Sequence, residues 1–181
     1  MTFPPFYDII KKLKTKNSVV IYLSPQGKLF NQKITTKLSK NEHLILLCGH
    51  YEGIDARVEA LIDMELSIGD YILTGGEIPA MIVADAVTRL LPGVIHEDSA
   101  EEDSLQNGWL KFPQYTKPET YEGHTVPEIL LSGHHQKIAD WRLKKQVEST
   151  YFKRPDLIKK IKKTESEKKL LAQVKIEKKE K

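Results

Sequence analysis

Three short apolar runs, each leading into a glycine-containing turn, constrain the fold most strongly. The runs at residues 19–23 and 43–48 are rich in Val, Ile and Leu, and a third leads into the turn SIGDYILTGGEIPA at residues 67–80. Short apolar runs bounded by turn residues predict buried strands. Because glycine has no Cβ and lets the backbone approach other atoms closely, we expect these turns to lie against a ligand.

Helical patterns separate the predicted strands. We predict helices over residues 4–13, 34–38, 57–61 and 78–91, and strands over residues 19–23, 43–48 and 65–68. Strands that alternate with helices predict parallel pairing and an α/β layered domain. Ligands of such sheets bind beyond the carboxyl ends of the strands, and all three glycine turns occupy that position.

The second half of the chain differs in pattern and charge. Residues 94–109 are acidic and lack periodicity, which predicts a flexible linker, and residues 110–181 predict a mainly helical unit with a helix over residues 134–150. Residues 151–181 hold 12 Lys and Arg against 5 Asp and Glu, whereas residues 1–150 hold 16 against 20. A cationic end on a mildly acidic body is expected of a protein that binds a polyanion, although a solvated tail has the same composition.

The composition is that of a soluble, globular protein. Apolar residues make up 40% of the 181 residues, but no apolar run approaches the roughly 18 residues that a membrane span needs. The first residues lack the basic and apolar segments of a secretory signal, and the single cysteine, Cys48, has no partner for an internal disulfide. We therefore expect a cytoplasmic protein in which Cys48 is a core thiol.

Ordered motifs along most of the chain carry a family resemblance. They are YLSPQG at 22–27, LCGHYEGID at 47–55, SIGDYILTGGEIPAM at 67–81, DAVTRLLPGV at 85–94, EDS at 102–104, PQYTKPE at 113–119, VPEILLSGHH at 126–135, IADWR at 138–142 and RPDL at 154–157. With these motifs in this order, the sequence resembles the bacterial tRNA (guanine-N1)-methyltransferase family, a branch of the knotted SPOUT methyltransferases. The resemblance extends to about residue 157.

The resemblance implies a domain organisation. Residues 1–93 would form an α/β domain that binds S-adenosylmethionine and ends in a trefoil knot, residues 94–109 the linker, and residues 110–181 a helical tRNA-binding domain. An obligate homodimer with an active site shared across its interface is also implied. Members of the family begin with a further strand, helix and glycine-rich segment, so we expect the sequence as given to lack part of the sheet.

The resemblance implies S-adenosylmethionine as the methyl donor, held in the knot loops. By motif position the expected cofactor-binding residues are Tyr22, Leu23, Ser24, Pro25, Tyr51, Glu52, Gly53, Ile68, Gly69, Tyr71, Leu73, Gly75, Gly76 and Pro79. Their apolar side chains suit an adenine and their turn backbone suits its polar edge. Without the resemblance, turn glycines and core side chains would explain these residues better. Glu52 is where the resemblance would place any Mg²⁺, and the histidines show no metal-ligand spacing.

The implied reaction is methyl transfer to N1 of guanosine 37, next to the anticodon of tRNA. A general base must remove the N1 proton. The resemblance assigns this role to Asp103, which the residues alone do not distinguish from neighbouring carboxylates of the linker. It assigns to Arg89 the stabilisation of negative charge on guanine O6. An arginine at that position is otherwise a helix C-terminal charge.

The second unit would then hold the anticodon arm of tRNA. The expected phosphate contacts are Lys137, Arg142, Lys144, Lys145, Lys153 and Arg154. Trp109, Tyr115 and Trp141 are candidates to stack on unstacked bases, although a helical core explains Trp141 better. Two alternatives remain open. One is an inactive fragment that binds S-adenosylmethionine and RNA, and the other is a nucleotide-linked oxidoreductase, which lacks support because no G-x-G-x-x-G follows the first strand.

Overall fold

The computed structural model describes residues 1–95 and 103–177, and the chain divides into two compact units, Met1–Glu97 and Asp98–Lys181. The first unit contains α1 Phe3–Leu13, β1 Ser18–Leu29, α2 Gln32–Leu38, β2 His43–Cys48, a 3₁₀ helix Ala56–Leu61, β3 Met64–Ser67 and α3 Glu77–Thr88. The second contains the hairpin strands β4 Thr120–Tyr121 and β5 His124–Thr125, then α4 Glu128–Leu131, α5 His135–Lys153, α6 Pro155–Ile158 and α7 Glu165–Glu177. No helix in these described parts is long and apolar enough to cross a membrane.

A parallel sheet of order β2-β1-β3 forms the centre of the first unit. Val20 of β1 pairs with Ile45 of β2. Because successive side chains of a strand point to opposite faces, β1 buries Val20 on one face and Ile21 on the other. Ile34 of α2 and Val83 of α3 pack on the Ile21 side, whereas α1 and the 3₁₀ helix pack on the Val20 side. The predicted parallel α/β architecture is therefore confirmed.

β1 is longer than the sequence predicts. The sequence predicts a turn at residues 24–27, but the strand continues through them. The pairing with β3 is irregular there, because Leu23 and Lys28 both pair with Leu66. A Cβ on Gly27 would lie 2.4 Å from the backbone N of Leu66. This glycine is required by the close approach of a neighbouring strand. Gly27 is not among the residues that line the cleft described below.

Helix α3 ends earlier than predicted. The prediction extends it to Leu91, but the helix ends at Thr88. Beyond that point the N–H groups of Leu90 and Leu91 donate to the carbonyls of Val87 and Thr88, both at 3.0 Å. These three-residue bonds tighten the last turn, as is common where a helix terminates.

The core of the second unit lies around Trp109. Its indole is 1% exposed and packs with Val147, Leu171 and Val174 of α5 and α7. The indole Nε1–H donates to Oε1 of Glu167 at 2.7 Å. A ring with no accessible face cannot stack on a nucleobase, so that candidate role for Trp109 is wrong.

Part of the lysine-rich end of the chain, residues 151–181, is folded as helix α7. The N–H of Thr164 donates to Oε2 of Glu167 at 2.6 Å, and the N–H of Glu167 donates back to Oγ1 of Thr164 at 3.3 Å. This reciprocal pair is a capping box at the start of the helix. Because α7 also buries Leu171 and Val174, residues 165–177 are not a solvated tail.

Candidate active site

A cleft of about 330 Å³ opens at the carboxyl ends of the parallel strands in the first unit. It is lined by residues 22–26 of β1, where the pairing of that strand is irregular, by the turn after β2 (residues 49–54), by the end of β3 (residues 65–67) and by residues between 68 and 79 that follow β3. Ala56 and Glu59 of the 3₁₀ helix complete its wall. The position is the usual ligand site of an open α/β sheet, and the volume suits a small molecule.

The structure brings all the predicted cofactor-binding residues to this cleft. Lining it are Tyr22, Leu23, Ser24, Pro25, Tyr51, Glu52, Gly53, Ile68, Gly69, Tyr71, Leu73, Gly75, Gly76 and Pro79. Ten of them follow the end of β2 or β3 along the chain, whereas Tyr22, Leu23, Ser24 and Pro25 lie within β1. Their contact with a cofactor stays a prediction.

Several lining residues were not predicted from the sequence. They are Gln26, Gly49, His50, Ile54, Ala56, Glu59, Glu65, Leu66, Ser67, Ile72 and Thr74. Most adjoin a predicted residue along the chain, so the continuity of the turns could have indicated them. Ala56 and Glu59 gave no such signal, because the 3₁₀ helix is positioned by burial of Val58 in the core.

The turn after β2 and the segment before α3 are held together by backbone contacts. The N–H of Gly76 donates to the carbonyl of Gly49 at 2.9 Å, and His50 forms an isolated bridge with Gly75. A Cβ on Gly76 would lie 2.6 Å from Cα of Cys48. Glycine at this position therefore lets two turns that line the cleft pack against each other.

A polar side-chain pair adds to this contact. Nε2 of His50 lies 2.5 Å from Oε1 of Glu77, and both side chains are partly exposed. The pKa of the Glu77 carboxyl is lowered, first by the hydrogen bond of its own backbone N–H and further by His50. Burial raises the pKa of the Cys48 thiol, and the charge of Glu77 adds to that rise. The thiol is free and half-buried.

The charge of the cleft is negative. Glu52, Glu59 and Glu65 line it, and the lining residues that the structure describes include neither Lys nor Arg. The Ser24 hydroxyl donates to Oε1 of Glu65 at 2.6 Å, which orients that carboxylate. Burial and then the charge of Glu65 raise the pKa of the Tyr22 phenol. Such a field favours a positively charged ligand and disfavours one that carries phosphates.

Glu52 lies in an unusual backbone segment. The residues on either side, Tyr51 and Gly53, have φ angles of 57° and 106°, in the left-handed region. That conformation costs free energy for a tyrosine, and the Tyr51 ring is 96% exposed. Within residues 1–95 and 103–177 no group of three or more His, Cys, Asp and Glu side chains is placed to hold a metal ion.

The two predicted catalytic residues lie in different units. Arg89 caps the C-terminus of α3, is exposed, and is not a lining residue of the cleft. Asp103 belongs to the second unit, where its Oδ1 lies 3.4 Å from Nζ of Lys111. Most of the rest of the acidic segment, residues 96–102, lies outside the described residues. The catalytic roles of both residues stay predictions.

Several cations predicted to contact phosphates form ion pairs within the second unit. Lys144 lies 3.3 Å from Glu177, Lys145 lies 2.6 Å from Glu148, and Arg154 lies 2.8 Å from Asp156. Lys137 and Lys153 are exposed. The guanidinium of Arg142 lies over the Phe112 ring at 4.7 Å.

Comparisons with known proteins agree across both units. A family model described as tRNA (Guanine-1)-methyltransferase TrmD matches residues 1–160. A protein of Acholeplasma laidlawii named tRNA (guanine-N(1)-)-methyltransferase is 58% identical over 176 residues, which are 97% of this chain and 72% of that protein. A protein of the same name from Aster yellows witches'-broom phytoplasma is 56% identical over 98% of this chain and 74% of its own length. Another, from Dictyoglomus turgidum, is 53% identical over 96% of this chain and 71% of its own length.

Proposed function

This chain belongs to the tRNA (guanine-1)-methyltransferase family, and from that membership we propose that it transfers a methyl group from S-adenosylmethionine to N1 of guanosine 37 in tRNA. The observation that carries the proposal is the convergence of the predicted cofactor-binding residues on one cleft. These residues come from separate segments, 22–25, 51–53 and 68–79. Because only the fold brings the segments together, their convergence supports a shared ligand.

The chemistry of the cleft fits S-adenosylmethionine. That donor carries positive charge on its sulfonium and ammonium groups, which the carboxylates of Glu52 and Glu65 complement. Ile68, Leu73 and Pro79 offer an apolar wall for the adenine, and the turn backbone offers hydrogen bonds for its polar edge. The bound donor would supply an electrophilic methyl carbon.

The alternatives find less support. A nicotinamide dinucleotide would place its phosphates beside carboxylates, and the end of β1 carries no G-x-G-x-x-G. An inactive fragment that binds S-adenosylmethionine and RNA is not favoured, because the family match covers both units.

In the proposed reaction the protein supplies a base and a countercharge. Asp103 accepts the proton from guanine N1 while that nitrogen forms its bond to the methyl carbon and the carbon–sulfur bond breaks. Lys111, at 3.4 Å, orients the carboxylate. Arg89 opposes the negative charge that develops on O6. The remainder of the rate enhancement comes from holding donor and acceptor in line.

Exposed apolar residues support the proposal of a homodimer. Ile78, Met81 and Ile82 of α3 are 52%, 69% and 40% exposed, and nearby Ile72 is 80% exposed. The three on α3 share one face of the helix, since they are three and four residues apart. A contiguous apolar face is unfavourable in water unless a partner covers it. We propose that a second copy of this chain does so.

The finer features of the family belong to the same proposal. They are a trefoil knot in the first unit, a cofactor-binding domain at residues 1–93, a linker at residues 94–109 and a tRNA-binding domain at residues 110–181. A role for Mg²⁺ at Glu52 and a cytoplasmic location stay predictions.

The direct test is methyl transfer from labelled S-adenosylmethionine to an unmodified tRNA transcript that carries G37. We expect primer extension to arrest at position 37, since a methyl group on N1 blocks base pairing. A matched transcript with A37 should accept no label. Binding of S-adenosylmethionine by calorimetry without transfer to the G37 transcript would contradict the proposed function and favour the inactive fragment.

A further inference from the structure

A second pocket, of about 390 Å³, lies within the second unit. Tyr115 and Trp141 form its aromatic wall, with ring centroids 6.3 Å apart and planes tilted by 54°. Tyr115 is 46% exposed, and Trp141 is half-buried. Because the two rings are tilted and not stacked on each other, a third flat group can pack against them.

Polar groups border these rings. The amide of Gln114 donates to the carbonyl of Phe112 at 3.4 Å, and Lys117 and Arg142 bring positive charge to the lining. Arg142 is positioned by its contact with the Phe112 ring. The pocket therefore combines aromatic faces with hydrogen-bonding groups and cations.

We propose that this pocket binds one unstacked nucleobase of the tRNA, different from the guanine that is methylated. The inference rests on the proposed function, since it takes tRNA as the ligand. Proteins that read single-stranded RNA stack its bases on Tyr, Trp and Arg and bond to the base edges with polar side chains. Tyr115, Trp141 and Gln114 supply these elements in one place.

The charge of the lining supports a nucleotide over an apolar peptide. Among the lining residues that the structure describes are Lys117, Arg142 and one carboxylate, Glu119. Phosphate oxygens beside a bound base would meet these cations, whereas an apolar peptide would offer them no opposite charge. The carboxylates that line the cleft of the first unit instead favour a positively charged ligand.

Three variants of the full chain test the pocket. Tyr115→Ala removes the exposed ring, Tyr115→Phe keeps the ring without its hydroxyl, and Tyr121→Ala is the matched control. Tyr121 is a 64% exposed tyrosine of β4 in the same unit that does not line the pocket. At about 0.15 M salt we expect Tyr115→Ala to weaken binding of the G37 transcript about tenfold, and the other two variants to bind like the wild type. The Kd for S-adenosylmethionine should be the same in all three.

An abasic scan of the anticodon loop then identifies the bound base. One abasic position should weaken binding by the wild-type chain about tenfold and cause no further loss in Tyr115→Ala, because both changes remove the same contact. Unchanged affinity of Tyr115→Ala, equal losses in Tyr115→Ala and Tyr121→Ala, or additive losses at every loop position would each overturn the proposal. Methyl transfer by the wild-type chain is measured on the same samples. Its absence would contradict the proposed function, whereas the binding data decide the pocket independently.

Discussion

The cleft of the first unit and the pocket of the second unit are built in different ways. Much of the cleft is backbone, since its turns meet through Gly49, Gly75 and Gly76. The pocket is made of side chains, with Tyr115 and Trp141 as its wall. The charges also differ, because carboxylates line the cleft whereas two cations against one carboxylate line the pocket.

This difference predicts which kind of substitution disrupts each site. A site made of closely packed turns is damaged when one atom is added, because neighbouring backbone cannot move at low cost. A site made of side chains is damaged when a side chain is removed, while the backbone beneath it persists. The following substitutions test whether donor binding belongs to the first unit and RNA chemistry to the second.

The largest effect is expected from Asp103→Asn. If Asp103 is the general base, the single-turnover rate should fall about 10²- to 10⁴-fold, while calorimetry gives an unchanged Kd for S-adenosylmethionine. Asp140→Asn is the control, because Asp140 is an exposed carboxylate of the same unit that accepts from Gln136 at 3.0 Å. A large loss of donor affinity in Asp103→Asn would contradict the proposal that donor binding belongs to the first unit and RNA chemistry to the second.

Gly76→Ala should give the next largest effect. The added Cβ would lie 2.6 Å from Cα of Cys48 and 3.0 Å from N of Gly49, so the two turns must separate. We expect the free energy of unfolding to fall by about 2–3 kcal/mol and the affinity for S-adenosylmethionine to fall with it.

Gly133→Ala separates the effect of space from that of backbone angle. A Cβ on Gly133 meets no atom within 4 Å, but its φ is +69°. Thermal and urea unfolding should show a loss of about 1 kcal/mol from the left-handed conformation alone. If Gly76→Ala costs no more than Gly133→Ala, the close packing of the turns is not what stabilises the cleft.

Glu167→Ala should have an effect that is confined to the second unit. It removes the acceptor of the Trp109 indole and one half of the capping box of α7. Urea unfolding should show a loss of about 1–3 kcal/mol, with donor affinity unchanged. Glu165→Ala, at an exposed position paired with Lys168, should change stability by less than about 0.5 kcal/mol. Equal losses would mean that neither the indole contact nor the capping box contributes to stability.

The smallest effect is expected from the pair Lys159→Gln and Lys160→Gln. Both lysines are exposed in the second unit. Their loss should lower the steepness of the plot of log affinity for tRNA against log salt concentration by roughly 1–2. The matched pair Lys33→Gln and Lys40→Gln in the first unit should leave the slope unchanged. An unchanged slope for both pairs would contradict RNA binding by the lysine-rich end. Deleting residues 158–181 is a poorer test, because it removes Leu171 and Val174 from the core.

Local composition predicted much of the fold. The strand β2 begins at His43 and ends at Cys48 as expected, because a continuous apolar run is what a strand buried on both faces requires. The convergence of most predicted cofactor-binding residues on one cleft was predictable, because ten of the fourteen follow the end of β2 or β3. In a parallel sheet all such segments meet at the same edge.

Features that depend on distant segments were not predicted. Pro25 and Gly27 indicate a turn by local rules, yet the chain continues as a strand because β3 pairs on both sides of the irregularity. Trp109 was one of three candidates to stack on RNA bases, but α5 and α7 enclose it. In each case the deciding partner lies roughly 40 or more residues away along the chain.

By itself the sequence determined the family, the parallel α/β class, the identity of the residues at the strand ends and the cationic end of the chain. These follow from local periodicity and from motifs whose order along the chain can be read directly. Only the tertiary structure decided which glycines contact backbone, which tryptophan lies in the core, and where aromatic side chains form a pocket. These features depend on contacts between distant segments, and such contacts exist only after the chain has packed.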